Sequence, residues 1–284
     1  MAHDPQAWTG LTFSLKAHKF YFGLTQALVA DPDFRLSQGR LRSPESSREL
    51  GLGGKLLWAG ELDDSGRPLV VAGNIAGAAT LAATADVNAQ KQAIREAIVD
   101  FLVTSLDEAL RILKNEIRKR QTVAVCVGSA PDLIEREMLE RGVQPDLYRE
   151  GVIAASEPPS ERNKPGENKL GGFNPVGDQA LVIWRVDAAP AVGLPKLDGI
   201  ALDCLDSEDE SARRWIRLVP RYMGRLGHGV HLLVSNRKFA ASFVERVREL
   251  ERRGEIAFQG QIQVSHSGGN QEYSFPPRPL DPGD

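Results

Sequence analysis

The residues best placed to do chemistry lie in one short turn, Gly60-Glu61-Leu62-Asp63-Asp64-Ser65-Gly66-Arg67. A phosphate-binding turn needs small residues directly after a strand, so that backbone N–H groups can approach an anion at the start of the next helix. Gly60, Gly66 and Arg67 suit an anion, whereas Glu61, Asp63 and Asp64 oppose it. The same residues also spell an ordinary β-turn. Asp86 ends a second apolar run. There a dinucleotide domain places a carboxylate for the adenosine ribose, and there a helix N-cap also wants one. Gly73-Asn74-Ile75-Ala76-Gly77 could be a second glycine turn, but reads more simply as small residues that let a helix lie close to a sheet.

Other chemistries find less support. The five histidines are scattered. His228-Gly229-Val230-His231 is too short and too broken by glycine for a metal pair, and no carboxylate or thiol stands at a helpful spacing, so no metal is expected. No Gly-x-Ser-x-Gly elbow occurs. Ser265-His266-Ser267-Gly268-Gly269-Asn270 reads as a turn. Cys126 and Cys204 sit among apolar neighbours in expected strands and read as buried, reduced thiols. Net charge is −3 and pI about 6.0, which leaves no basic field for nucleic acid. No apolar run approaches the roughly 18 residues of a spanning helix, so neither a membrane nor export is expected.

The elements that must position the turn alternate regularly. Lys55–Leu62, Thr80–Asp86, Asp100–Ser105 and Thr122–Gly128 are apolar runs of strand length. Between them lie expected helices Pro68–Gly77, Asn88–Ala97 with Asn88 as N-cap, and Leu106–Arg120. The last carries a Ser105/Glu108 capping box and an apolar stripe of Leu106, Leu110, Leu113 and Ile117. Pro131–Arg141 follows as a further helix. Alternation at this spacing predicts a parallel sheet with right-handed crossovers and a ligand site at the carboxyl ends of its strands.

Four segments are expected. Residues 1–53 form an N-terminal helical and loop segment, frayed to Gly10, with Leu11–Ala30 helical. Residues 54–151 form the Rossmann-like domain, 152–178 a linker with Ser156–Lys169 exposed, and 179–284 a second, smaller α/β region. In that last region Ala180–Val186, Gly199–Leu205, Val230–Val234 and Ile256–Val264 read as strands able to extend the first sheet. Ser207 reads as the cap of a helix reaching about Leu226, and Lys238–Arg253 as another helix. The fold class is therefore α/β.

From Lys55 to Leu147 the chain resembles the central NAD-binding domain of urocanase (urocanate hydratase), an enzyme that adds water to urocanate using tightly bound NAD+ as an electrophile. The landmarks are Gly54-Lys55, Ile75-Ala76-Gly77, Asp86, Lys91, Leu106-Asp107-Glu108 and Asp146-Leu147. Two places depart. Family members carry a run like GLGGMSGAQ after the first strand, where Glu61–Arg67 stands here. A polar DQTS stretch is replaced by Tyr148-Arg149-Glu150-Gly151.

The resemblance implies NAD as cofactor, with Gly60, Gly66 and Arg67 at the phosphates, Asp86 at the ribose, and Thr104 or Ser129 on the nicotinamide side. It implies a cytoplasmic hydratase or lyase of histidine degradation acting on a small molecule. The acidic turn implies the opposite, a non-catalytic binding or scaffold protein that has lost the cofactor and meets a protein partner. A third reading puts His18, His228 and His231 at work on a different small substrate. Self-association into a homo-oligomer is compatible with all three.

Overall fold

The computed structural model describes residues 5–30, 51–156, 177–187, 189–227 and 229–275. The chain splits into two compact units, one drawn from Lys16–Gly166 and Arg221–Met223, the other from Met1–Leu15, Glu167–Pro220 and Gly224–Asp284.

The first unit is a Rossmann-like α/β domain. Its elements are β1 (Leu56–Glu61), α2 (Gly66–Ala76), β2 (Ala79–Ala83), α3 (Val87–Arg95), β3 (Phe101–Val103), α4 (Leu106–Lys119), β4 (Val123–Val127), α5 (Pro131–Glu140), β5 (Leu147–Tyr148) and α6 (Arg149–Ser156). α1 (Pro5–Ala30) precedes them. All five strands are parallel, in the order β3-β4-β2-β1-β5. β1, β2 and β4 are buried on both faces or nearly so, which explains their continuous apolar character.

Side chains alternate across the sheet. Leu56, Trp58, Leu81, Val125 and Val127 form a core with Leu106, Leu110 and Leu113 of α4 and Ile134 and Met138 of α5. Leu57 and Thr80 face the other way, toward α2. A Cβ on Gly73 would stand 2.7 Å from Thr80 Oγ1 and 2.9 Å from Leu57 Cδ2. The Gly73–Gly77 stretch therefore does let a helix approach the sheet.

The sequence placed these elements closely, with corrections at their starts. α2 begins at Gly66 rather than Pro68. α3 is capped by Asp86, whose carboxylate accepts from Asn88 N at 2.8 Å, so the cap is two residues earlier than Asn88. In α4 the Ser105 hydroxyl accepts from Glu108 N at 3.3 Å, and Glu108 reaches back to Thr104 N at 3.4 Å instead of Ser105 N. α1 is already helical at Pro5, within the stretch expected to fray. Val152–Ser156, assigned to the linker by composition, close α6. The remainder of the expected linker from residue 157 to 176 lies outside the described residues.

The second unit is built on β6 (Gln179–Val186), α7 (Pro190–Cys204), α8 (Glu210–Met223), a 3-10 turn at Gly224–Gly227, β7 (Val230–Asn236), α9 (Arg237–Arg252), β8 (Gly260–His266) and β9 (Gly269–Phe275). Its strands make a separate antiparallel sheet ordered β7-β6-β8-β9. They do not extend the first sheet, as the sequence had suggested.

Gly199–Leu205, expected as a strand, is the second half of α7, so Cys204 ends a helix. Asp209, not Ser207, caps α8 by accepting from Ala212 N at 3.0 Å. The last expected strand begins four residues later, at Gly260, and pairs with β9 across the Ser267-Gly268 tip. On one face Leu181, Ile183, Val230 and Leu232 pack with Leu11 and Leu15 of α1.

Candidate functional site

The carboxyl ends of the parallel strands carry every residue that the urocanase resemblance assigns to the cofactor. Gly60 ends β1, Gly66 and Arg67 open α2, Asp86 follows β2, Thr104 follows β3 and Ser129 follows β4. These strands are contiguous in the order β3-β4-β2-β1, so the fold brings all six residues to one rim. The crevice position follows from the crossovers. The β1-to-β2 and β2-to-β3 connections step one way along the sheet, while β3-to-β4 and β4-to-β5 step the other. Right-handed crossovers then put α2 and α3 on one face and α4 and α5 on the other. The loops diverge between β2 and β4, where such a fold opens its crevice.

At the β1 rim the backbone is shaped for an anion, and the chain supplies its own. Gly60 has φ +69° beside a register shift in β1, a conformation that favours glycine. A Cβ on Gly66 would collide with the Glu61 carbonyl oxygen, so only glycine fits there. The Asp63 carboxylate sits on the resulting helix start. Its Oδ1 accepts from Ser65 N at 2.9 Å and Gly66 N at 2.7 Å.

Arg149 completes this arrangement from the start of α6. Its Nη2 donates to Asp63 Oδ1 at 2.9 Å and Oδ2 at 2.8 Å, and its Nη1 to Glu61 O at 3.2 Å. Burial alone would raise the Asp63 pKa. The Arg149 hydrogen bonds, the Gly66 and Ser65 N–H groups and the Arg149 charge outweigh it and hold the carboxyl below its ordinary value.

The side chains of Arg67 and Asp86 are also engaged within the chain. Arg67 pairs with Glu96, which also accepts from Gln92 Nε2 at 2.9 Å. Asp86 is spent on the N-terminus of α3. Gln90 Nε2 donates to Thr84 O at 2.9 Å, and a Cβ on Gly128 would stand 3.3 Å from the same nitrogen. The Gln90 amide therefore lies over the crevice between β2 and β4. Thr104 is exposed beside the end strand β3, and its N–H is turned to Glu108. Ser129 N donates to Val127 O at 2.9 Å. Cys126 is fully buried in β4 and its thiol is pushed up to about 12, first by burial and then by the Glu61 charge, so it is no nucleophile.

Residues 49–154 match the family model of the urocanase Rossmann-like domain. The match runs from the approach to β1 through most of α6, and so contains the entire rim just described. The residues present at this urocanase-type rim do not suit a pyrophosphate. The two N–H groups at the start of α2 are taken by Asp63, Arg149 is taken by the same carboxylate, and Glu61 and Asp64 add negative charge nearby. A dinucleotide would have to displace an internal ion pair and then sit beside its carboxylate. Sequence reasoning missed Arg149 and Gln90. The only signal for Arg149 was its place in the Tyr148–Gly151 departure from the family pattern.

His18 and His231 belong to different units. His18 is buried in α1 and burial pulls its pKa down to about 3. His231, in the second unit, turns Nδ1 to Asp198 Oδ1 at 2.9 Å and Oδ2 at 3.0 Å, and Trp184 Nε1 donates to the same carboxylate at 2.9 Å. His228 lies outside the described residues. Among the described residues no group of three or more His, Cys, Asp or Glu could hold a metal ion, and no helix is long and apolar enough to cross a membrane.

Proposed function

We propose that this chain is a urocanase-related binding or scaffold protein that has given up the dinucleotide, and that it does not act as an NAD-linked hydratase. One observation carries this reading: the Asp63 carboxylate, clamped by Arg149, stands on the α2 N–H groups where a Rossmann-type fold receives a phosphate. A fixed internal carboxylate satisfies the helix dipole and both donors, so an incoming anion gains little there and meets a like charge. The engagement of Arg67 by Glu96 and of Asp86 by α3 points the same way.

The test is calorimetry with NAD+ on the full purified chain. The wild-type protein should carry no NAD and give no binding heat at millimolar NAD+. Replacing Glu61, Asp63 and Asp64 together by Gly should create measurable affinity. NAD+ found on the purified wild-type protein, or binding at micromolar concentration, would restore the NAD-linked lyase reading.

A further inference from the structure

We propose that a second copy of this chain docks on the β3 edge, joining the two parallel sheets through antiparallel β3 strands about a two-fold axis near Leu102. The inference does not depend on whether a dinucleotide binds. β3 ends the five-stranded sheet. Natural sheets blunt such an edge with shortness, charge, proline or a covering element; β3 is short, three residues, but carries neither charge nor proline. Here the edge carries Phe101 and Leu102, which are 47% and 40% exposed, whereas the adjoining β4 is fully buried. Alternation puts Phe101 on the α4 face and Leu102 on the α3 face. An open groove of about 910 Å³ runs beside Phe101, lined among others by Arg111, Ile112, Asn115 and Glu116 of α4.

The charges on α4 say which occupant fits. Its first turn is acidic, with Asp107, which already pairs with Arg141, and Glu108, and its last turn is basic, with Arg118 and Lys119. α4 runs back along the sheet from the end of β3. A strand rises about 3.3 Å per residue and a helix about 1.5 Å, so α4 comes level with Leu102 some six or seven residues after Leu106. Arg111 and Ile112 do lie beside Phe101.

A two-fold axis at Leu102 is therefore level with the middle of α4, which packs over β4 and β2. It sets Phe101 against the partner's Val103, and the acidic turn of one α4 toward the basic turn of the other. Within the groove it sets Arg111 toward the partner's Glu116. Among the described residues Arg111 makes no side-chain hydrogen bond or ion pair, though its charge acts on Asp107 one turn back, while Glu116 accepts from Lys119 and Asn115 of its own helix. One patch thus complements itself, as an isologous contact requires.

Sedimentation of the full chain tests this. The wild-type protein should sediment as a dimer, twice its 31.0 kDa, at micromolar concentration. Leu102→Lys should give a monomer with an unchanged circular dichroism spectrum. Arg111→Glu and Glu116→Arg should each weaken the dimer about tenfold or more, and the two together should restore it, because the exchange recreates the pair across the axis. Leu102→Cys should cross-link to itself on mild oxidation, since antiparallel partners lie about 4.5–5.5 Å apart at Cα, within disulfide reach. A monomer at about 100 μM would overturn the proposal. So would a dimer that survives both Leu102→Lys and the single charge reversals and does not cross-link through position 102. If Leu102→Lys fails to fold, the charge reversals and the cross-link decide.

Discussion

The Asp63–Arg149 pair should show a clear energetic coupling that vanishes in acid. The guanidinium meets both carboxylate oxygens, at 2.9 and 2.8 Å. The two side chains differ in shielding: Arg149 is 17% exposed and Asp63 46%. Fully exposed pairs couple by about 0.2–1 kcal/mol, and breaking a buried pair costs about 3–5 kcal/mol. Here one nitrogen, Nη2, meets both oxygens while Nη1 serves the Glu61 carbonyl, and the carboxylate side is open to water, so the pair belongs just above the exposed range, at about 1–1.5 kcal/mol. The perturbations are Arg149→Met, Asp63→Asn and the double variant, with stability read from urea unfolding as a double-mutant cycle. Asn at 63 keeps an oxygen for Ser65 N and Gly66 N, so the cycle isolates the charge pair.

The sign of the pH dependence follows from the depressed carboxyl. Its folded pKa lies below the 3.8 of the free group, so the stabilisation is full above 3.8 and is lost as pH falls through the lower folded value. Coupling should therefore be complete at pH 7 and shrink steadily below pH 3.8. A coupling under about 0.3 kcal/mol at pH 7 would show that the clamp is incidental. A coupling indifferent to acid would show that it is not the Asp63 charge that Arg149 holds.

Two further outcomes concern the same unit. Gly66→Ala should cost about 2–3 kcal/mol in urea unfolding, because its Cβ collides with the Glu61 carbonyl, whereas Gly151→Ala in α6 meets nothing within 4 Å and should be neutral or slightly stabilising. His18 folds neutral, with its pKa drawn from 6.5 to about 3 by burial, so its contribution is full above pH 6.5 and falls as acid favours the charged, unfolded form. At pH 5 the loss is about 2 kcal/mol, and His18→Leu should flatten the stability curve between pH 6.5 and 4.

The first unit was legible in the sequence because its signals are local. α4 announced itself through Ser105, Glu108 and a four-residue apolar stripe, and α5 through Pro131 at its start. Buried parallel strands read as uninterrupted apolar runs. The second unit was harder for equally physical reasons. Gly199–Leu205 is a short apolar run, and such a run fits a strand or the buried side of a helix; only its packing in α7 decides. β9 is largely exposed and polar, and is a strand only because β8 pairs with it. Three residues able to cap a helix stand close together, Asp206, Ser207 and Asp209, and the cap falls where the helix can start, at Asp209.

The rim was legible in position and illegible in state. Glycines after a strand marked where N–H groups would converge, and Gly60 and Gly66 are glycine for that backbone reason. What those groups hold depends on Arg149, 86 residues beyond Asp63, and no local pattern joins the two. From the sequence alone the acidic residues of the turn read toward a ligand as repulsion. In the folded protein Asp63 is itself an anion at the start of α2, seated on the Ser65 and Gly66 N–H groups and countered by an arginine from the next sheet edge. A helix start can thus present N–H groups after a glycine turn while a side chain of the same turn occupies them. For this rim the sign and reach of those side chains weigh more than the glycine spacing.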